Sequence, residues 1–166
     1  MATVNLSVYD KDLVPSASGM RFGIVVSEWN NEVTFALRDG TVNTLIANGA
    51  NADYIKVHYV PGSFELPMGA QFLAEYSNAD AIICIGCVVR GGTPHFDYVC
   101  MGTTEGISRV MHKYNIPVIF GVLTTDNQQQ ALDRAGGKYG NKGDEAAITA
   151  IKMVSLKNSL KTKYLL

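Results

Sequence analysis

An α/β sandwich built on a parallel sheet is what this sequence predicts, and three observations predict it. Four short apolar runs rich in β-branched residues recur along the chain: Phe22 to Val26, Tyr54 to Val60, Ala81 to Val89 and Pro117 to Leu123. Between and after them lie stretches with helical periodicity, and strands alternating with helices imply parallel pairing through crossovers. The chain has 166 residues, 47% of them hydrophobic, which suits one ordered domain with a real core. Residues 21–166 read as that domain, with 1–20 as a separate N-terminal segment.

The elements follow in order. Val4 to Tyr9 is a short apolar run beyond a polar loop, Asp10 to Gly19, too far from the first crossover to belong to it. After the first strand, Asn31 to Asn48 places Val33, Leu37, Thr44 and Leu45 on one helical face and ends before Gly49, a C-cap. Leu66 to Tyr76 is a shorter helix and Thr93 to Tyr114 a long one. Asn127 to Ala135 precedes a glycine-rich loop, and a helix from Asp144 to about Leu160 closes the chain. The result is a three-layer α/β/α sandwich with a four-stranded parallel sheet, flavodoxin-like in outline.

Composition removes several function classes. Fourteen Lys+Arg against fifteen Asp+Glu give a net charge of −1, so no basic excess exists to neutralise a nucleic-acid backbone. No membrane span is expected, because the longest apolar runs fall far short of 18 residues. The N-terminus shows no basic region followed by an apolar stretch. Three cysteines do not make a disulfide framework. Cys84 and Cys87 spell C-x-x-C, but on a strand residues three apart face opposite ways, so their thiols diverge. These features together predict a cytoplasmic, reducing location. Only 17% of residues are charged, against an ordinary value of about 25%. Chance is one reading; a surface partly covered by neighbours is the other.

In parallel α/β sheets ligands bind outside the carboxyl ends of the strands, which directs attention to four loops. Arg90-Gly91-Gly92-Thr93-Pro94-His95 has two glycines for close backbone approach, Thr93 as an N-cap and Pro94 at the first helical position. Free N–H groups at such a helix start suit phosphate, and His95 beside them can move protons near neutral pH. A capping loop with an exposed histidine is the rival reading. The first loop, Ser27 to Asn31, holds the only tryptophan. Trp29 either stacks on a planar heterocycle or packs beneath the loop as core. That loop lacks glycine, which argues against the phosphate-binding first turn of a dinucleotide or flavodoxin fold. In Pro61-Gly62-Ser63-Phe64-Glu65, Ser63 can cap the following helix, and Glu65 can favour its dipole or bind hydroxyls. Phe120 reads as core and Arg134 as a cation near a helix end. His58 and His112 read as surface residues.

Taken together these segments resemble the lumazine synthase family. The resemblance rests on Phe22-Gly-Ile-Val-Val-Ser-Glu-Trp-Asn30, Val60-Pro-Gly-Ser-Phe-Glu-Leu-Pro67 and Gly86-Cys-Val-Val-Arg-Gly-Gly-Thr-Pro-His-Phe-Asp-Tyr-Val99, with Pro117-Val-Ile-Phe-Gly-Val-Leu-Thr-Thr125 and Ala131-Leu-Asp-Arg-Ala-Gly-Gly-Lys-Tyr-Gly-Asn-Lys-Gly143 completing the set. Five motifs in the family's order and spacing cover nearly everything from Arg21 to about Leu160.

The resemblance implies an enzyme of riboflavin biosynthesis that condenses 5-amino-6-(D-ribitylamino)uracil with 3,4-dihydroxy-2-butanone 4-phosphate, giving 6,7-dimethyl-8-ribityllumazine without metal or redox cofactor. It makes His95 the proton-transfer residue and Trp29 the platform under the pyrimidine ring. Ser63, Phe64 and Glu65 correspond to the segment binding the ribitylaminouracil, and Cys87, Val88 and Val89 to a strand end touching the pyrimidine, largely through backbone. Gly92, Thr93 and Arg134 correspond to phosphate contacts. Phe120 corresponds to a contact supplied by a neighbouring subunit, and Lys138 and Lys142 to further ligand contacts. Cys87 stands where threonine is familiar in the family. The resemblance also implies a homopentamer, in some members packed into a sixty-subunit icosahedral shell, with the Val4–Tyr9 strand added to a neighbour's sheet. Two other readings stand beside it: a flavin-binding module without turnover, and a shell protein whose site is a relic.

Overall fold

A computed structural model describes residues 13–164; the Val4–Tyr9 run lies outside them. Four parallel strands, β1 (Phe22–Ser27), β2 (Ile55–Val60), β3 (Ala81–Val89) and β4 (Val118–Thr125), form one sheet in the order β2-β1-β3-β4. Hydropathy sets that order. β1 is buried at all six positions and β3 at its first seven, as strands covered on both faces must be. β2 and β4 expose His58, Tyr59 and Phe120, and they take the edges.

Alternation along the central strands feeds two cores. Phe22, Ile24, Val26, Ile83, Ile85 and Cys87 pack with Val33, Leu37 and Leu45 of α1 (Asn31–Ala47) and with Ala147, Ile151 and Val154 of α5 (Lys142–Tyr164). Val25, Ile82 and Cys84 pack on the other face with Leu66 and Ala70 of α2 (Leu66–Tyr76) and with Ile107 and Val110 of α3 (His95–Tyr114). Cys84 and Cys87 therefore do diverge. Each fully buried Ile or Leu contributes roughly 1.5–3 kcal/mol. All four residues foreseen on the inner face of α1 are buried. Its end is closed as foreseen by Gly49, whose φ is +97°, with N–H groups of Gly49 and Ala50 returning to Ile46 and Leu45.

The chain departs from its forecast mainly after β4. The predicted helix 127–135 is a short α4 (Gln128–Leu132), capped by the Asn127 side chain accepting from the Gln130 N–H. The expected flexible loop is an antiparallel hairpin, β5 (Ala135–Gly137) with β6 (Gly140–Asn141). It is sutured to α1 by the Asn141 amide donating to the Ala36 carbonyl at 2.8 Å. Residue spacing could not announce that contact, because its partner lies about a hundred positions away in the chain. No helix among the described residues is long and apolar enough to cross a membrane.

Candidate active site

Parallel register brings the four strand ends to one edge: Ser27 lies beside Val60, and Val89 beside Thr125. Every loop singled out by the sequence starts there, except the Arg134 hairpin that follows α4.

The first half of the site is wired together. Beyond β1 the chain crosses onto the β2 loop, with the N–H groups of Glu28 and Trp29 donating to the carbonyls of Val60 and Pro61 at 2.9 and 3.0 Å. Trp29 is not core; it is 67% exposed, and its indole lies on Gly62. A Cβ at that glycine would come within 2.6 Å of the ring. Asn30 takes the left-handed conformation, φ +58°, one that Asn tolerates better than most residues. Its amide leaves the α1 cap unfilled and donates instead to the Cys87 carbonyl at 2.9 Å. Ser63 does not cap α2 as expected. It is buried in a 3-10 turn, where its hydroxyl reaches the same carbonyl at 3.4 Å while its own carbonyl accepts from Thr103 at 3.1 Å. The close approach needs Gly86, where a Cβ would meet Ser63 Oγ at 2.7 Å. Glu65 caps its own turn, accepting from the Gly62 N–H at 3.1 Å, and Phe64 stands 58% exposed. Burial favours the neutral thiol on both faces of β3, pushing Cys87 up to about 11 and Cys84 to about 12.

The second half is loose. Gly91 to His95 is exposed throughout, and nothing lies within 4 Å of where a Cβ would sit on Gly91 or Gly92. The expected cap is corrected: Pro94, not Thr93, holds the cap position of α3, and no side chain caps it. Proline's fixed φ lets it open the helix itself, with Asp97 N–H donating to its carbonyl at 3.0 Å. The His95 ring makes no hydrogen bond among the described residues. Val88 and Val89, half-buried, lead into this loop.

Phe120, expected in the core, is 43% exposed because β4 is an edge strand. With Asp97, Cys100, Met101, Thr104 and Thr124 it lines a shallow groove of about 430 Å³ beside α3. Arg134 is half-buried; it donates to the Gln130 carbonyl at 2.8 Å and lies 4.9 Å over the Tyr139 ring. It has no carboxylate partner among the described residues. Lys138 is exposed, whereas the Lys142 ammonium pairs with Glu145. His58 and His112 are exposed, as foreseen.

Sequence reasoning passed over Asn30 and Arg90. Arg90 spans from the β4 end to α3, with Nε 3.4 Å from Asp126, an NH1 3.3 Å from Asp97 and its guanidinium 4.1 Å over the Phe96 ring. The cue was present in the Arg-Gly-Gly before His95 and the aspartate two residues after it.

Fold and candidate site together define a class: a small flavodoxin-like α/β protein whose candidate site lies across adjoining strand ends. The family model for 6,7-dimethyl-8-ribityllumazine synthase matches residues 19–158. The chain is 60% identical over 157 residues to the 6,7-dimethyl-8-ribityllumazine synthase of Parabacteroides distasonis, covering 93% of this chain and 98% of the relative. It is 57% identical to that of Phocaeicola vulgatus over 96% of each chain. To the Bacteroides fragilis protein of that name it is 60% identical, over 85% of this chain and 99% of the relative. The chain belongs to the 6,7-dimethyl-8-ribityllumazine synthase family, and as such it is an enzyme, a transferase.

Proposed function

We propose that this enzyme joins 5-amino-6-(D-ribitylamino)uracil to 3,4-dihydroxy-2-butanone 4-phosphate. The aromatic amine forms an imine with the ketone, phosphate is eliminated, and ring closure yields 6,7-dimethyl-8-ribityllumazine with release of water, the penultimate step of riboflavin biosynthesis. One observation carries this reading. An exposed tryptophan resting on a glycine and an unpacked Gly-Gly loop ending in histidine stand on the neighbouring strands β1 and β3. A flat heterocycle and a phosphate ester are the two chemistries that such a pair accommodates.

Each residue then has a role. Trp29 and Phe64 hold the pyrimidine, Ser63 and the backbone of Cys87, Val88 and Val89 shape its slot, and the carboxylate of Glu65 accepts ribityl hydroxyls. Gly92, Thr93 and Arg134 hold the phosphate, with Lys138 and Lys142 near the ligand. His95 shuttles the protons that condensation and elimination require, and a well-placed general acid–base supplies roughly 10²–10⁴-fold. Orientation of two substrates supplies more. No covalent nucleophile is needed, which accords with thiols that burial keeps protonated.

The functional unit is a homo-oligomer, a pentamer or a shell of pentamers in the cytoplasm, with Phe120 and Arg134 of one subunit serving the His95 of another. Phe64, Met68, Phe72 and Tyr76, spaced four apart and all exposed, supply an apolar stripe for such a neighbour, in keeping with the low charge count. Mixing the purified protein with both substrates tests the whole reading. Lumazine absorbance with stoichiometric phosphate supports it; tight flavin binding without product would replace it with a carrier.

A further inference from the structure

Resting on that reading, we propose that Arg90 is a positioning residue, which holds the Gly91–His95 loop in register and offsets the carboxylates beside it. The loop has little else to hold it. Its two glycines touch nothing where a side chain would begin, its remaining residues are exposed, and α3 begins without a side-chain cap. Arg90 ties both ends of this span to solid structure. Its N–H donates to the Thr125 carbonyl at 2.8 Å, and its Nε lies 3.4 Å from Asp126 just past the end of β4. Its NH1 lies 3.3 Å from Asp97 in the first turn of α3, and its plane covers the Phe96 ring at 4.1 Å.

Exposed pairs of this kind contribute little to stability one at a time. A planar guanidinium that meets two carboxylates and a ring at once fixes direction, which a lysine cannot do. There is a charge consequence as well. Asp97 and Asp126 place two negative charges next to a loop assigned to phosphate, and Arg90 is the cation between them.

Full-length Arg90→Met, Arg90→Lys and Asp126→Asn proteins test this in two readouts. Amide hydrogen exchange over residues 97–101, the hydrogen-bonded first turns of α3 that Arg90 reaches through Asp97, should quicken about tenfold in both Arg90 variants and less in Asp126→Asn, with β3 unchanged. In steady-state kinetics kcat should fall about tenfold in both Arg90 variants. The KM for the butanone phosphate should rise in Arg90→Met and return in Arg90→Lys, while the uracil KM stays put. Wild-type exchange in the first turns of α3 in Arg90→Met overturns the proposal. Full rescue of kcat and exchange by lysine overturns it too, because charge alone would then suffice. Were Arg90→Met to loosen β3 as well, the single-arm Asp126→Asn decides: no increase confined to the first turns of α3 overturns the role. If the wild type itself makes no lumazine, the functional reading fails, and the exchange readout still decides the role of Arg90.

Discussion

The two halves of the carboxyl edge are built in opposite ways. Around Trp29, Ser63 and Cys87, one buried carbonyl gathers two side-chain donors, and glycines admit close contact, all within one chain. Around Gly91 to His95 the chain is exposed, packed on nothing and held at its root. On the proposed function the first half is a slot for a flat, neutral heterocycle, which works by shape and gains from being preformed. On the same proposal the loop serves a phosphate, which gathers its own N–H donors and cations, so it can stay open until the ligand and the arginine assigned to a neighbouring subunit arrive.

Breaking the loose half should cost most. His95→Ala is expected to lower kcat by about 10²–10⁴-fold without abolishing turnover; unaltered steady-state kinetics would remove His95 from the chemistry. Arg134→Ala should raise the KM for the butanone phosphate by about 10–100-fold through loss of a charge-assisted contact. Movement of only the uracil KM would place Arg134 in the other half. Because these two residues are assigned to different subunits of one site, reassembling mixed His95→Ala and Arg134→Ala chains should restore part of the activity. No recovery in verified mixed assemblies would mean that each chain builds its own site.

The rigid half answers to smaller insults. Gly62→Ala pushes a methyl into the Trp29 ring and should raise the uracil KM about 2–10-fold while sparing the phosphate substrate. An equal rise in both would erase the distinction between the halves. Gly86→Ala forces its methyl onto Leu66 and Ser63 and should cost about 1–3 kcal/mol of stability. Gly91→Ala, with open space around it, should stay within about 0.5 kcal/mol. Thermal denaturation of the two variants compares them directly.

Thiol titration probes the rigid half last. With Cys84 and Cys87 pushed up to about 12 and about 11, the native protein should react at pH 8 through Cys100 alone, and all three thiols should react once it is unfolded. Both shifts are upward, so the fold favours the neutral thiol. Their contribution to stability is full below the usual thiol value and is lost as pH rises through about 11 for Cys87 and about 12 for Cys84. Rapid native labelling of Cys87 would show that this half opens.

Much of this was legible in the chain. Apolar β-branched runs and period-3.6 hydropathy located every main strand and helix, because burial on one or both faces is written residue by residue into the pattern. The motif from Arg90 to Asp97 marked the loop and its histidine. Other features were settled only in three dimensions. Phe120 reads as core and Trp29 as either core or stacking platform; their exposure depends on which strands become edges and on Gly62 occupying the space beneath the indole. Ser63 reads as a cap until the Cys87 carbonyl, 24 positions away, competes for its hydroxyl. The hairpin after α4 exists because Asn141 finds Ala36 across the sequence. Sequence by itself determined the layers, the strand ends and the chemical character of the loops, since these follow from local pattern and side-chain chemistry. Tertiary structure alone decided which polar groups meet, because a hydrogen bond depends on distances that only folding sets.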